Sequence, residues 1–387
     1  MQSIEDVSQV KYVGATSSDV VLDSVEADLA EAYKYCDYRI MVLNTFDIGY
    51  RESNEQTKMR ATKATVMTLQ ANVYAWRNKY DKAWEVFNRM ATLADNNNVG
   101  HWNFPGNSYR DAGWFNFFRE SELSFVEFLL DIAFTYQGRQ PNPLMRITSN
   151  DPGSGGKHLV QPSLYAMRTY HPNYPAPGTV GKPADLGTQG AGSDIHRGFG
   201  RSFAGSAPFY NKVGSTPVIW KWIGTNTVEA STLDVPPNVR LPYESDAIFR
   251  IMRLTDTWLL RAEILNRLGR KSEAIECMNN IRNRTSVAAS TVFTTGNVAN
   301  LSIEQIEDEI LRVRGIDLGF EGYRWYDLIR VANHRNSTQY LVDAVKRRAP
   351  VDQHAYLQAR LSDKKYWYLP YNENELKLNP NLKQKDY

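Results

Sequence analysis

The sequence predicts a mainly α protein. Tetratricopeptide-like helical hairpins form a scaffold, and an irregular, loop-rich lobe containing short strands is laid on it. Two observations predict this. First, Ala71, Tyr74, Ala83 and Phe87 correspond to Ala262, Leu265, Ala274 and Met278, each pair 191 residues apart. In a tetratricopeptide hairpin the small residues sit where the two helices cross, and the large residue at the end plugs the next unit. Second, the interval between the two copies is rich in Gly, Pro, Asn, Ser and aromatics, with little helical periodicity. A chain of 387 residues exceeds the usual single-domain length. Composition divides it into an N-terminal helical part (1–94), an aromatic-rich lobe (95–245) and a C-terminal hairpin with its tail (246–387), packed as one unit.

Taken in order, residues 18–35 form a helix with Val20, Val21, Val25, Leu29 and Tyr33 on its apolar side and Ser17 or Ser18 near its start. Segment 58–92 is a helical hairpin. Ala61, Ala64, Thr68, Ala71 and Ala75 give a small-residue face, while Val66, Leu69, Val73 and Trp76 make a bulkier stripe on the same helix. A helix apolar on two sides is held between neighbours. After a break at 78–81, the second helix carries Ala83, Val86, Phe87 and Met90. In the lobe, turn signals such as Asp151-Pro152-Gly153 and Gly187 to Gly192 separate short strands at 123–131 and 216–223. The second hairpin spans 250–284. A helix at 303–313 follows, opened by the capping box Ser302/Gln305 and lined by Ile303, Ile306, Ile310 and Val313. A break at Gly315 and Gly319 then leads to a shorter helix at 321–333.

Composition removes several function classes. The 45 basic and 43 acidic residues nearly cancel, so no basic surface for nucleic acid is expected. Cys36 and Cys277 do not make a disulfide framework, and Cys277, on a face with Ala274, Met278 and Ile281, reads as a buried thiol. The six histidines show no metal-ligand spacing, and there is no phosphate loop or Gly-x-Ser-x-Gly elbow. No cofactor and no catalytic residue are expected, and metal binding is left open. No stretch reaches the apolar length of a membrane span.

Aromatics are the outlier, with 22 Tyr, 15 Phe and 9 Trp. Tyr and Trp line sugar and peptide sites because a flat apolar face stacks while a polar tip hydrogen-bonds. The candidate ligand-binding residues are Trp102, Tyr109, Trp114, Tyr165, Tyr170 and Tyr174, all in the lobe. The opposing reading makes Phe115, Phe117 and Phe118 core plugs, with Trp114 among them. Trp220 and Trp222 alternate with Ile219 and Lys221, which favours packing.

The C-terminal part carries the most specific pattern. Arg253 to Glu263, the turn Leu268-Gly269, Glu273-Ala274 and Asn279 to Arg284 are followed by Phe320-Glu321-Gly322-Tyr323-Arg324-Trp325-Tyr326-Asp327-Leu328-Ile329-Arg330. The tail then reads Leu369-Pro370, Glu375 and Asn379-Pro380-Asn381-Leu382. Together these resemble the SusD/RagB family of nutrient-binding outer-membrane lipoproteins, strongly over 248–285 and 301–387 and more weakly over 17–93. Glu321, Arg324, Asp327 and Arg330 sit at helix-neighbour spacings and are expected to brace each other or adjacent backbone. Where the family has Glu-Arg and then Glu before the Phe-Glu-Gly motif, this chain has Val313-Arg314 and Asp317. An altered charge network is therefore expected there.

The resemblance implies capture of a glycan, or for some members a peptide, on the extracellular face of the outer membrane of a Bacteroidota-type bacterium. It implies delivery to a SusC-like TonB-dependent transporter without bond chemistry. It also places the lipid-bearing cysteine and a first helical pair upstream of Met1, so that any membrane attachment is through that anchor. The alternative is a tetratricopeptide-type scaffold that binds a protein partner on its helical face. A hydrolase reading would require a pair of carboxylates at hydrolytic separation beside the aromatics.

Overall fold

The structure is a computed structural model. It describes residues 12–36, 61–96, 128–134, 139–149, 155–163, 165, 219, 222, 245, 247–284 and 292–385. The protein is mainly α. Two compact units can be delimited, Ala32–Asp327 and the pair of segments Met1–Glu31 and Leu328–Tyr387. Most of the expected lobe, 95–245, lies outside the described residues.

In the unit Ala32–Asp327 the first hairpin consists of α2 (Lys63–Trp76) and α3 (Tyr80–Asn96); α1 (Ser18–Tyr35) precedes it. A reciprocal capping box between Thr62 and Thr65 starts α2. The Thr65 hydroxyl also donates to the Leu129 carbonyl at 3.0 Å, fixing α2 to strand β1 (Phe128–Ile132). The second hairpin is α5 (Leu254–Arg267) and α6 (Lys271–Arg284). Between the hairpins lie β1, the one-turn α4 (Leu144–Thr148) and β2 (Phe249–Arg253). The hairpins share a turn geometry. Asn78 and Gly269, 191 residues apart, both take positive φ, 57° and 76°. Just after them, the Lys79 N–H donates to Tyr74 O at 2.8 Å and the Arg270 N–H to Leu265 O at 2.9 Å, again 191 apart. These bonds satisfy the orphan carbonyls of the first helix and reverse the chain. Ala71, Ala83, Ala262 and Ala274 are fully buried at the crossings, where any larger side chain would push the helices apart.

One core cluster joins α2 and α3 to Leu260 and Ile264 of α5. A second joins α5 and α6 to α7 (Ile303–Asp317) through Leu265, Met278, Ile306, Ile310 and Val313. The α5 helix is therefore packed from both sides, as a middle element of a repeat stack is. The capping box of α7 is reciprocal: Gln305 N–H to Ser302 Oγ at 3.1 Å, and Ser302 N–H to Gln305 Oε1 at 2.7 Å.

Four expectations need correction. The second hairpin does not begin at 250, because 249–253 is extended and pairs antiparallel with β1; sheet pairing overrides helical periodicity there. Gly315 does not break its helix, which runs on to Asp317. A Cβ at Gly315 would lie 3.2 Å from Arg324 Nη1, so glycine is there to admit that guanidinium. The described residues of 216–223, Ile219 and Trp222, are not in a strand. Both are buried in one cluster with Ala247, three residues apart in a way strand alternation forbids. Finally, the apolar side of α1 is unevenly covered: Leu29 is buried, Val25 and Tyr33 are half-buried, and Val20 (53 % exposed) and Val21 lie in solvent.

In the unit Met1–Glu31 with Leu328–Tyr387, α9 (Thr338–Lys346) starts on a Ser337 cap and packs against α10 (His354–Leu361). Trp367 is buried and donates its indole N–H to Leu361 O at 2.8 Å. After α11 (Glu373–Leu378), the Asn-Pro-Asn-Leu tail has a mechanical use. The Asn379 side-chain amide donates to Val13 O at 2.8 Å and that of Asn381 to Tyr12 O at 2.6 Å, fastening the extended segment before α1.

The repeat turns make a clean test. Gly269→Ala meets no atom within 4 Å, so its cost is the left-handed backbone alone. A loss of about 1–2 kcal/mol in urea unfolding is expected, with Gly296→Ala, which is equally unobstructed, within about 0.5 kcal/mol of the parent. Equal stability of the two variants would remove the turn argument.

Candidate functional site

The Phe320–Arg330 motif supplies the charges that knit this region together. Phe320 and Gly322 take positive φ, 66° and 94°, and present Glu321 to β2 before α8 (Arg324–His334) begins. The Arg253 guanidinium grips both oxygens of Glu321 at 2.8 and 2.9 Å, and also donates to Asp317 O at 2.6 Å. Arg314, 1 % exposed, donates to Asp256 at 2.7 Å and to Asp327 at 2.9 Å. The Arg324 guanidinium donates to Leu311 O at 2.6 Å, and the Tyr323 hydroxyl to Ile251 O at 2.5 Å. Burial pushes the Tyr323 phenol well above its ordinary range. Arg330 is buried on α8. Glu321, Arg324 and Asp327 therefore brace other elements and backbone more than one another. A charge network is present here, centred on Arg314, with Asp317 adding its carbonyl.

A second arrangement opens to solvent. Between α3 and α5 lies a cavity of about 170 Å³, walled by Trp84, Phe87 and Ala91 from α3 and by Thr257, Trp258 and Arg261 from α5. Asn88 stands at its edge, exposed. The Arg261 guanidinium carbon lies 5.4 Å from the Trp84 ring centre and 5.1 Å from that of Trp258, a cation held between two indoles. Arg270 covers Trp84 at 4.0 Å, and its charge is matched by Glu273 at 2.6 Å, whose carboxyl it holds below the usual range. Arg261 donates to Cys277 Sγ at 3.1 Å. Burial pushes that thiol up to about 11, so at neutral pH it is a neutral, weak acceptor. No carboxylate lines the cavity among the described residues.

Residues 210–387 match the SusD family profile. Two SusD-like proteins of Formosa agariphila are similar to this chain. One, P38, is 40 % identical over 90 residues, 23 % of this chain and 18 % of that protein. The other, P25, is 21 % identical over 338 residues, 84 % of this chain and 57 % of that protein. The similarity is to the SusD family, through the profile over 210–387 and through these relatives. The chain's fold is that of surface glycan-binding protein A from Bacteroides uniformis, at a TM-score of 0.57 and 16 % identity over 96 % of this chain and 69 % of that one. The chain thus spans little more than half the length of P25 and less than a fifth of that of P38.

Of the six aromatic residues singled out by sequence, Tyr165 is described and half-buried. Trp102, Tyr109, Trp114, Tyr170 and Tyr174 lie outside the described residues. Reading for aromatic density passed over the Trp84 and Trp258 pair. Trp258 stands inside the SusD motif and Trp84 beside the buried Ala83, so both looked like frame. The available signal was their register. Each sits one position off the buried stripe of its helix, where a large ring is left half-exposed.

Replacing Arg314 by Met would leave Asp256 and Asp327 buried without their guanidinium. A loss of about 3–5 kcal/mol in urea unfolding is expected, against about 1 kcal/mol or less for Glu273→Ala at the exposed Arg270 pair. In the native protein iodoacetamide should modify the half-buried Cys36, and Cys277 only after denaturant is added. Peptide mass spectrometry reads both sites, and rapid native labelling of Cys277 would contradict its burial.

Proposed function

We propose that this protein captures a glycan at the outer face of the outer membrane and passes it to a SusC-like TonB-dependent transporter, without cleaving it. The observation that carries this reading is the SusD family match over 210–387. A surface glycan-binding protein of Bacteroides uniformis is built on the same fold. The chemistry fits. Sugar rings have apolar faces that stack on indole and phenol rings, while their hydroxyls take directed hydrogen bonds. In this reading the sequence supplies such rings at Trp102, Tyr109, Trp114, Tyr165, Tyr170 and Tyr174. A hydrolase would need two carboxylates free to exchange protons. Among the described residues, six of the buried acids, Asp131, Asp256, Glu307, Glu309, Glu321 and Asp327, each hold an arginine instead.

Calorimetric titration against a panel of oligosaccharides and peptides, with product analysis on the same samples, tests the proposal. Saturable heat from one glycan class with no cleavage is expected, and Trp102→Ala or Tyr170→Ala should weaken it by about tenfold. Heat from peptides alone would move the cargo to peptide, cleavage products would make the protein an enzyme, and binding lost only on changes to the helical face would favour a scaffold.

A further inference from the structure

We infer that the cavity between α3 and α5 is a binding site for a single six-membered ring bearing a carboxylate, supplied by an acidic sugar unit of the captured glycan. The assignment to a sugar rests on the capture reading; the ring and the carboxylate rest on the cavity. Size sets the first requirement. A cavity of about 170 Å³ is close to the roughly 150 Å³ apolar void that accommodates one benzene, so it has room for one ring. Shape sets the second. Trp84, Phe87 and Trp258 line the cavity with ring carbon, part of it covered by Arg261 and Arg270, and the C–H face of a pyranose or an aromatic ring packs against the remainder.

Charge sets the third. Among the described residues, Arg261 is the one charged residue lining the cavity, and its hydrogen-bond acceptor is a neutral thiol. Contact with two indole rings, at 5.4 and 5.1 Å, restrains the guanidinium while consuming none of its N–H donors. Such a planar fork, half-removed from water and pre-oriented, pairs with a carboxylate through two parallel hydrogen bonds. The neighbouring cation, Arg270, does not compete, because Glu273 occupies it on both arms at 2.6 Å. A neutral ring would cover Arg261 without answering its charge, which disfavours it on desolvation grounds.

The test is calorimetry and tryptophan fluorescence on the full chain with three sets of probes: glucuronate and galacturonate with their disaccharides, the neutral glucose and galactose counterparts, and 3-phenylpropionate. The expected result is saturable binding of the sugar acids with quenching, no binding of the neutral counterparts to this cavity, and loss of at least tenfold in affinity on Arg261→Gln. Arg261→Lys, which keeps the charge without the fork, should fall between. Trp84→Leu, at a half-exposed position, should cost a similar loss and guards against a folding defect in the arginine variant, with far-ultraviolet circular dichroism as the check. Binding of phenylpropionate alone, dependent on Arg261, would keep the ring-carboxylate site and overturn its assignment to sugar. Sugar acids that bind equally to Arg261→Gln, or no binding of any carboxylated ring at 10-millimolar order, would overturn the site. A neutral glycan bound with the same affinity by parent and Arg261→Gln would leave glycan capture standing and overturn this inference alone.

Discussion

Arg314 is the constraint on which the rest of the helical frame depends. Its guanidinium, almost wholly removed from water, faces the Asp256 carboxylate on the first turn of α5 and the Asp327 carboxylate on the first turn of α8. Removing three charges from solvent carries a penalty of several kcal/mol per ion, which mutual attraction offsets only when the geometry is close. The three elements therefore have one acceptable arrangement. Arg253 repeats the logic one strand away, gripping Glu321 and the Asp317 carbonyl, and Arg250 repeats it again with Asp131 across the two strands. Burial pulls the Arg250 guanidinium below its ordinary value, with Asp131 opposing that pull. Such a network contributes little net stability over an apolar core of the same shape. Its effect is to penalise every misregistered packing of β2, α5, α7 and α8, because each would strand a buried charge.

The helical hairpins were legible in the sequence for a physical reason. Their determinants are local: small residues at the crossing, a left-handed residue at the turn and a plug one turn later all fall within about twenty residues of one another. Hence the repeat of 191 residues appears in the side chains, in the positive φ of Asn78 and Gly269, and in the hydrogen bonds that close both turns. The charge network was half-legible. Glu321, Asp327 and Arg314 could be named, but the paired residues are 58, 68 and 119 positions apart, and spacing on one helix suggested neighbours that the fold does not use. The Arg253–Glu321 pair, for example, needs the turn at Phe320 and Gly322 to be seen before it can be drawn.

The strand β2 and the unbroken α7 show where local periodicity misleads. Phe249 to Arg253 carries the same apolar spacing as the helix that follows, yet it is extended because β1 lies beside it and Arg250 needs Asp131. Gly315 has the residue type of a helix stop, but its lack of a side chain serves the approach of Arg324, and the helix continues. In both cases a tertiary contact decided between two local options of similar energy. Propensity is a prior measured in tenths of a kcal/mol per residue, and a buried ion pair outweighs it.

The candidate cavity follows from the same stacking. Two hairpins that meet through Leu260 and Ile264 against Met67, Val86 and Phe87 bury the centre of their contact and leave its flank open. At that flank α3 and α5 each present a tryptophan, and a guanidinium in place of an apolar side chain lies close to both rings. A purely structural filler at this position would be cheaper as Leu or Met, which need no hydration and would close the cavity. An arginine there leaves a cation half-withdrawn from water with a thiol for its acceptor. The fold tolerates that cost because it lies outside the charge network that sets the register, and so a charged receptor can be placed on the frame without disturbing it.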